Sequence, residues 1–112
     1  TGSPLRQFIY SDDLAKLILW VLENYDDVEP IILSPPEESE VRIKDVAKYI
    51  SKEFDYEDNM KITGIGYDGQ YKKTACNKKL EKLIGEFRFT CIPEGIHKSV
   101  DWFIKNYDVA RK

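Results

Sequence analysis

The feature that most constrains the fold is a run of strand-forming residues followed at once by an acidic helix start. Residues 8–10 are Phe, Ile and Tyr, which favour a short β-strand, and residues 11–13 are Ser, Asp and Asp, which are typical of a helix N-terminus. Apolar residues then recur at the spacing of one helix face, at Leu14, Leu17, Ile18, Val21 and Leu22. The sequence therefore predicts a strand that leads directly into an amphipathic helix.

Strand-like and helix-like segments alternate along the rest of the chain. Residues 30–34 form an apolar run typical of a buried parallel strand, and residues 61–63 and 72–75 are shorter extended candidates. Three further helices are predicted, near residues 43–54, 78–84 and 90–104. We expect Trp20 and the apolar faces of the later helices in the core, namely Ile43, Val46, Ala47, Ile50, Ile96, Val100, Trp102, Phe103 and Ile104. Short strands that alternate with about four helices indicate an α/β domain or a small α+β one.

The composition is that of one folded domain spanning residues 1–112. Hydrophobic residues make up 42% of the chain and charged residues 33%, a balance typical of globular proteins. The formal net charge of -3 argues against nucleic acid as the main partner, which would need a basic surface. The longest apolar block, residues 17–22, is too short to cross a membrane, so we expect a cytoplasmic protein without a membrane partner. Because the chain opens without methionine in a loop-like segment, we interpret it as a fragment of a longer polypeptide.

The residues that usually carry catalysis or bind metals do not form a known motif. Cys76 and Cys91 lack the spacing of a CxxC pair or a zinc site, so we expect reduced thiols, buried or inert, and no metal. His97 has no nucleophile near it in any known pattern, and we expect it at the surface. Residues 64–66 read Gly-Ile-Gly, which is not a complete GxGxxG motif and does not open a predicted helix. We therefore expect no catalytic residue and no self-contained active site.

Four polar residues are candidates for binding an anionic ligand, each with an ordinary structural alternative. Arg6 lies beside a Gly-Ser-Pro loop, where a guanidinium suits a phosphate, although a solvated charge at a strand edge is the commoner case. Asp68 lies in an Asp-Gly turn and could accept hydrogen bonds from sugar or ribose hydroxyls, or serve only the turn. Lys72 and Lys73 could flank a pyrophosphate or form a solvated pair at an edge.

The opening segment resembles the extended short-chain dehydrogenases that act on nucleotide sugars. Residues 6–15, Arg-Gln-Phe-Ile-Tyr-Ser-Asp-Asp-Leu-Ala, are similar to the Arg-(Glu/Gln)-Phe-hydrophobic-x-x-x-Asp-hydrophobic-Ala segment of that family. Three further segments narrow the resemblance to one group within that family. They are residues 30–34, the Asp-Gly-Gln-Tyr-Lys-Lys-Thr-Ala segment at 68–75 and the Trp-Phe-Ile-Lys-Asn-Tyr segment at 102–107. Together these segments look like the C-terminal part of the epimerase-reductases that form GDP-L-fucose from GDP-4-keto-6-deoxy-D-mannose.

The resemblance implies a division of labour within a longer enzyme. An N-terminal Rossmann domain, absent from this chain, would bind NADP and supply the catalytic residues, so no cofactor and no activity are expected of the chain alone. The C-terminal part would close over the GDP-sugar, with Arg6 at the diphosphate and Asp68, Lys72 and Lys73 as further substrate ligands. The family also implies a homodimer of the complete enzyme, formed mostly through the Rossmann domain.

Two other hypotheses fit the same residues. The chain could be the substrate-binding domain of a different nucleotide-sugar epimerase or reductase, or a binding module without enzymatic activity. The relative position of Arg6 and Asp68 distinguishes a binding module from the enzymatic hypotheses. A shared cleft favours an enzyme, whereas positions on opposite faces favour a non-catalytic module.

Overall fold

Four α-helices and one two-stranded sheet make up the regular structure of the computed structural model, which describes residues 1–111. The helices are α1 (Ser11–Asn24), α2 (Ile43–Glu53), α3 (Lys78–Ile84) and α4 (Ile92–Lys105). The strands are β1 (Leu5–Arg6) and β2 (Val41–Arg42), and two 3-10 turns span Glu37–Ser39 and Glu57–Asn59. The predicted mixed α/β class with about four helices is confirmed.

Strand β1 lies between two segments that are distant in sequence. On one side it pairs antiparallel with β2, so that Leu5 lies opposite Arg42. On the other side Leu5 forms a parallel bridge with Lys72, and its N–H donates to the carbonyl oxygen of Tyr71 at 2.8 Å. Because both edges of β1 are bonded, residues 5 and 6 hold the 71–72 segment beside β2.

The strand predictions are wrong in position and in pairing. The first strand lies at residues 5–6 rather than 8–10, and it pairs antiparallel with β2, while the parallel strand predicted at residues 30–34 is not formed. The apolar run at residues 30–34 and the run at 61–63 form no strand, and Ile32 is 48% exposed. Propensity alone does not make a strand, because a strand needs a bonded neighbour, and the described residues supply none for these segments.

A close backbone contact joins the start of the chain to the start of α2. The carbonyl oxygen of Gly2 accepts a hydrogen bond from Lys44 N–H at 2.9 Å. Gly2 has φ +72, and a Cβ atom there would lie 2.8 Å from Lys44 Cβ. Glycine therefore meets two needs at this position, a left-handed backbone and close packing.

The buried core is small for a chain of this size. Among the described residues, the buried hydrophobic side chains are Leu17 of α1, Leu80 of α3 and Val100 of α4. Helix α2 packs against α4. The accessible surface is 8651 Å², compared with about 6,400 Å² for a compact monomer of this mass. The radius of gyration is 16.5 Å, compared with about 13 Å for a compact domain of this length. The described part of the chain therefore leaves much apolar surface exposed to solvent.

Several predicted core residues lie on that open surface. Trp102 is 57% exposed, so its predicted place in the core is wrong, and Trp20 is half-buried. Further large apolar side chains that were expected inside are exposed, namely Ile43, Ile50 and Ile104, and so are Ile18 and Leu22 on the apolar face of α1. None of the helices in the described part of the chain is both long enough and apolar enough to cross a membrane.

Candidate functional site

Arg6 is fixed by backbone carbonyls of the segment that follows the Asp-Gly turn. Its Nη1 donates to the carbonyl oxygen of Leu5 at 2.6 Å and, more weakly, to that of Tyr71 at 3.4 Å, while Nη2 donates to that of Gln70 at 2.9 Å. A guanidinium has five N–H donors in a planar fork. The bonds formed within residues 1–111 occupy three of them, so the Nε–H and one Nη2–H remain for a ligand.

Gln7, which the sequence analysis did not identify, joins three chain segments through its side-chain amide. Its Nε2 donates to the carbonyl oxygens of Pro35 at 2.8 Å and Ala75 at 3.0 Å. Its Oε1 accepts the N–H of Ala75 at 2.7 Å. The bonds span 28 and 68 residues of sequence, so no local pattern could have revealed them.

A cavity of about 440 Å³ opens where these three segments meet. Its walls come from the end of β1, from residues 33–35 and from residues 73–75, and they carry two cations, Arg6 and Lys73. None of the lining residues, all of them in the described part of the chain, is acidic. The volume is within the range of small-ligand sites. Its charge suits an anion.

Ser34 lines the same cavity, although its hydroxyl group is buried. Its Oγ is buried and has no hydrogen-bond partner within the described residues. Buried hydroxyl groups normally have a partner, because leaving one unpaired is unfavourable. Because this Oγ is buried, it is not itself exposed to a ligand in the cavity.

The neighbouring Lys72 is engaged elsewhere. It forms ion pairs with Glu37 and with Glu40, the latter at 3.3 Å, and Glu40 also accepts a bond from Thr74 Oγ1 at 2.6 Å. Hydrogen bonding to Glu37 is the main cause that raises the pKa of Lys72 above its usual value. Lys73 therefore lines the cavity, whereas Lys72 is paired with these carboxylates.

Asp68 does not line the cavity and binds the first residue of the chain. Its carboxylate accepts hydrogen bonds from the ammonium group and the hydroxyl of Thr1. The bond to that ammonium group is the main cause that lowers the pKa of Asp68. The shared cleft of Arg6 and Asp68 that would favour an enzyme is therefore not observed, although Arg6 donates to the carbonyl oxygen of Gln70, two residues after Asp68.

The histidine and the two cysteines lie outside this cavity. His97 is on the exposed side of α4, as expected, where its Nδ1 lies 2.8 Å from Glu53 Oε2 of α2. Cys76 and Cys91 are free, as expected, but both are exposed rather than buried. In the described part of the chain, no group of three or more His, Cys, Asp or Glu side chains is placed to hold a metal ion.

The contact with Glu53 predicts a measurable change in the titration of His97. Hydrogen bonding to Glu53, with its charge as a second cause, raises the pKa of His97 above 6.5. Because the folded-state pKa is the higher one, the contact stabilises the fold fully below about pH 6.5 and ceases to do so as the pH rises through the folded-state pKa. NMR titration of this single histidine should therefore show a midpoint above 6.5, and Glu53→Gln should bring it down. Equal midpoints in the two proteins would exclude the contact in solution.

Comparison with known proteins finds relatives that align with the whole chain, although no family model matches it. The chain is 50% identical over 112 residues to a probable GDP-L-fucose synthase of Drosophila melanogaster and 49% identical to a GDP-L-fucose synthase of Dictyostelium discoideum. A crystal structure of a GDP-L-fucose synthetase from Naegleria fowleri bound to NADP covers 100% of the chain with a TM-score of 0.95 and 44% identity. The chain spans 35% of the length of each of these proteins.

These matches confirm the resemblance that the sequence motifs indicated. The relatives are enzymes, and the aligned part is their C-terminal region. The likeness extends from residue identity to the arrangement of the helices and the small sheet. In sequence and in fold, this chain matches the C-terminal region of GDP-L-fucose synthases.

Proposed function

We propose that this chain is the GDP-sugar-binding region of a GDP-L-fucose synthase. The complete enzyme would convert GDP-4-keto-6-deoxy-D-mannose to GDP-L-fucose by epimerisation and NADPH-dependent reduction. The single observation that supports this best is the cavity with two cations, Arg6 and Lys73, on segments that align with the relatives. A cavity of this size and charge suits the diphosphate of a nucleotide sugar.

The proposal assigns separate roles to the polar residues around the cavity. Arg6 would bind a phosphate through its two remaining N–H groups, and Lys73 would add a mobile point charge. Asp68 would accept a hydrogen bond from a substrate hydroxyl once it leaves Thr1. Lys72 would have to leave Glu37 and Glu40 to reach a ligand, so we assign it a secondary role.

NADP does not fit the described residues of this chain. A dinucleotide site needs a glycine-rich turn that opens directly into a helix, whose N-terminus receives the pyrophosphate. Residues 64–66 lie in a segment without helix, and the next helix, α3, begins only at Lys78. We therefore propose that NADP and the catalytic residues belong to a separate domain of the complete enzyme.

The open apolar surface supports a second domain. On α1 the side chains of Ile18, Leu19 and Leu22 are exposed, and the apolar run that contains Ile32 has no strand partner in the described residues. Contiguous apolar surface of this kind usually marks a contact with other protein. We propose that the NADP-binding domain covers it. The two free thiols suit a cytoplasmic protein. The homodimer of the complete enzyme stays a prediction.

Calorimetric titration with GDP tests the proposed function. We expect the chain to bind GDP and to bind guanosine and UDP much more weakly. Arg6→Met and Lys73→Met should each lower the affinity for GDP about tenfold, because each removes a charge-assisted contact. Lys79→Met is the matched control, since Lys79 pairs with Asp27 outside the cavity, and it should bind like the unsubstituted chain.

The controls separate three outcomes of this titration. Guanosine binding as tight as that of GDP would contradict a diphosphate site. Equal affinity for GDP and UDP would favour the substrate-binding domain of another nucleotide-sugar enzyme. If Lys79→Met lowers the affinity for GDP as much as Lys73→Met does, then the loss reflects only the net charge of the chain. That result would contradict binding of GDP in this cavity.

A further inference from the structure

The side-chain amide of Gln7 uses all of its donors inside the protein. Both N–H groups of Nε2 are donated, one to Pro35 O at 2.8 Å and one to Ala75 O at 3.0 Å. A side-chain amide has only these two donors. Although Gln7 lines the cavity, it therefore has no N–H left to offer a phosphate. Its contribution to an anion site must be indirect.

The amide fixes one end of the segment that carries Lys73. Gln7 bonds both the N–H and the carbonyl oxygen of Ala75, two residues after Lys73. The other end is fixed by β1, since Leu5 N–H donates to Tyr71 O at 2.8 Å and Leu5 bridges to Lys72. Lys73 thus lies between two hydrogen-bonded positions of its own segment. The residues that form these bonds, Leu5 and Gln7, are the two neighbours of Arg6 in the chain.

We infer that Gln7 is a positioning residue that holds Lys73 across the cavity from Arg6, so that both cations can reach one diphosphate. This assignment rests on the proposed function and adds to it the residue that sets the spacing of the two charges. A lysine side chain already loses conformational freedom when it binds a ligand, and an unfixed backbone would add to that loss. The same amide bonds Pro35 O, next to Ser34, and so also fixes the third wall.

A double-mutant cycle in the 112-residue chain tests the inference, with GDP as the probe. Gln7→Met keeps the length and neutrality of the side chain but removes all three hydrogen bonds, and it should weaken GDP binding about tenfold. In a Lys73→Met background the same substitution should change the affinity less than twofold, because the cation it positions is already absent. Gln7→Asn, which is neutral and polar but too short to span both carbonyls, is the second variant and should act in the same direction.

A measurement without ligand complements the cycle. Hydrogen exchange of the Ala75 N–H should accelerate in Gln7→Met and stay unchanged in Lys73→Met, since only the former loses the acceptor Gln7 Oε1. Circular dichroism and thermal unfolding show whether each variant keeps its fold. If both Gln7 variants unfold, the amide serves the whole domain and the assignment is overturned.

The outcomes distinguish failure of the inference from failure of the proposed function. Gln7 fails as a positioning residue if Gln7→Met weakens GDP binding by the same factor with and without Lys73, or not at all, while Lys73→Met alone weakens it. The proposed function fails if the unsubstituted chain does not bind GDP, or if Lys73→Met binds GDP as tightly as the unsubstituted chain. The assignment of Gln7 then fails as well.

Discussion

Leu17→Ala should lower the free energy of unfolding by about 3 kcal/mol. Leu17 is fully buried, so truncation removes apolar contacts and leaves a cavity that the surroundings fill only in part. The matched control is Leu22→Ala on the same helix, where the side chain is 77% exposed and the expected change is below about 0.5 kcal/mol. Urea denaturation followed by tryptophan fluorescence measures both.

The comparison also tests whether the apolar face of α1 is free in solution. If Leu22→Ala destabilises the chain as much as Leu17→Ala, then that face is covered, and repeating the denaturation at several protein concentrations would show whether a second copy covers it. A small effect at both positions would contradict the placement of Leu17 in the core.

Asp13→Ala should destabilise the fold by about 2 kcal/mol, a large effect for one polar side chain. The Asp13 carboxylate is buried and accepts two hydrogen bonds from Thr90, one from the N–H at 2.6 Å and one from the hydroxyl at 3.1 Å. Without it both donors, which are partly buried, lose their acceptor. These bonds join the first turn of α1 to the segment before α4, so the loss weakens a long-range contact.

Asp12→Ala is the control for this effect, since both residues lie in the first turn of α1 and interact similarly with the helix dipole. Asp12 is exposed, and its removal should change the unfolding free energy by less than about 1 kcal/mol. Urea denaturation of the two variants isolates the contribution of the bonds to Thr90. Equal destabilisation by the two substitutions would assign the effect to the dipole and contradict the role of Thr90.

The helices could be predicted from the sequence, whereas the strands could not. Helical periodicity depends on local spacing, and it predicted α1 and α4 within a few residues of their observed ends. The strand prediction at residues 30–34 depended on a partner that the described residues do not contain. Apolar faces were predicted correctly as faces, but spacing did not show that Ile18 and Trp102 on those faces are exposed.

The candidate site was predictable only in part, and only through resemblance. Spacing alone did not separate Arg6 from an ordinary surface arginine, and it treated Lys72 and Lys73 as equivalent. The structure distinguishes the two lysines by their contacts, since Lys72 pairs with carboxylates and Lys73 lines the cavity. Gln7 belongs to the Arg-(Glu/Gln)-Phe motif, but its hydrogen bonds could not be predicted, since its partners become neighbours only in the folded chain.

The location of the bound nucleotide tests the central claim most directly. GDP titrated into the ¹⁵N-labelled chain should shift the amide signals of Arg6, Gln7, Ser34, Lys73 and Thr74 most, because these residues surround the proposed diphosphate site. Signals of α2 and α4, none of whose residues lines that cavity, should move little. Shifts confined to α2 and α4, or no shifts at saturating GDP, would contradict the account.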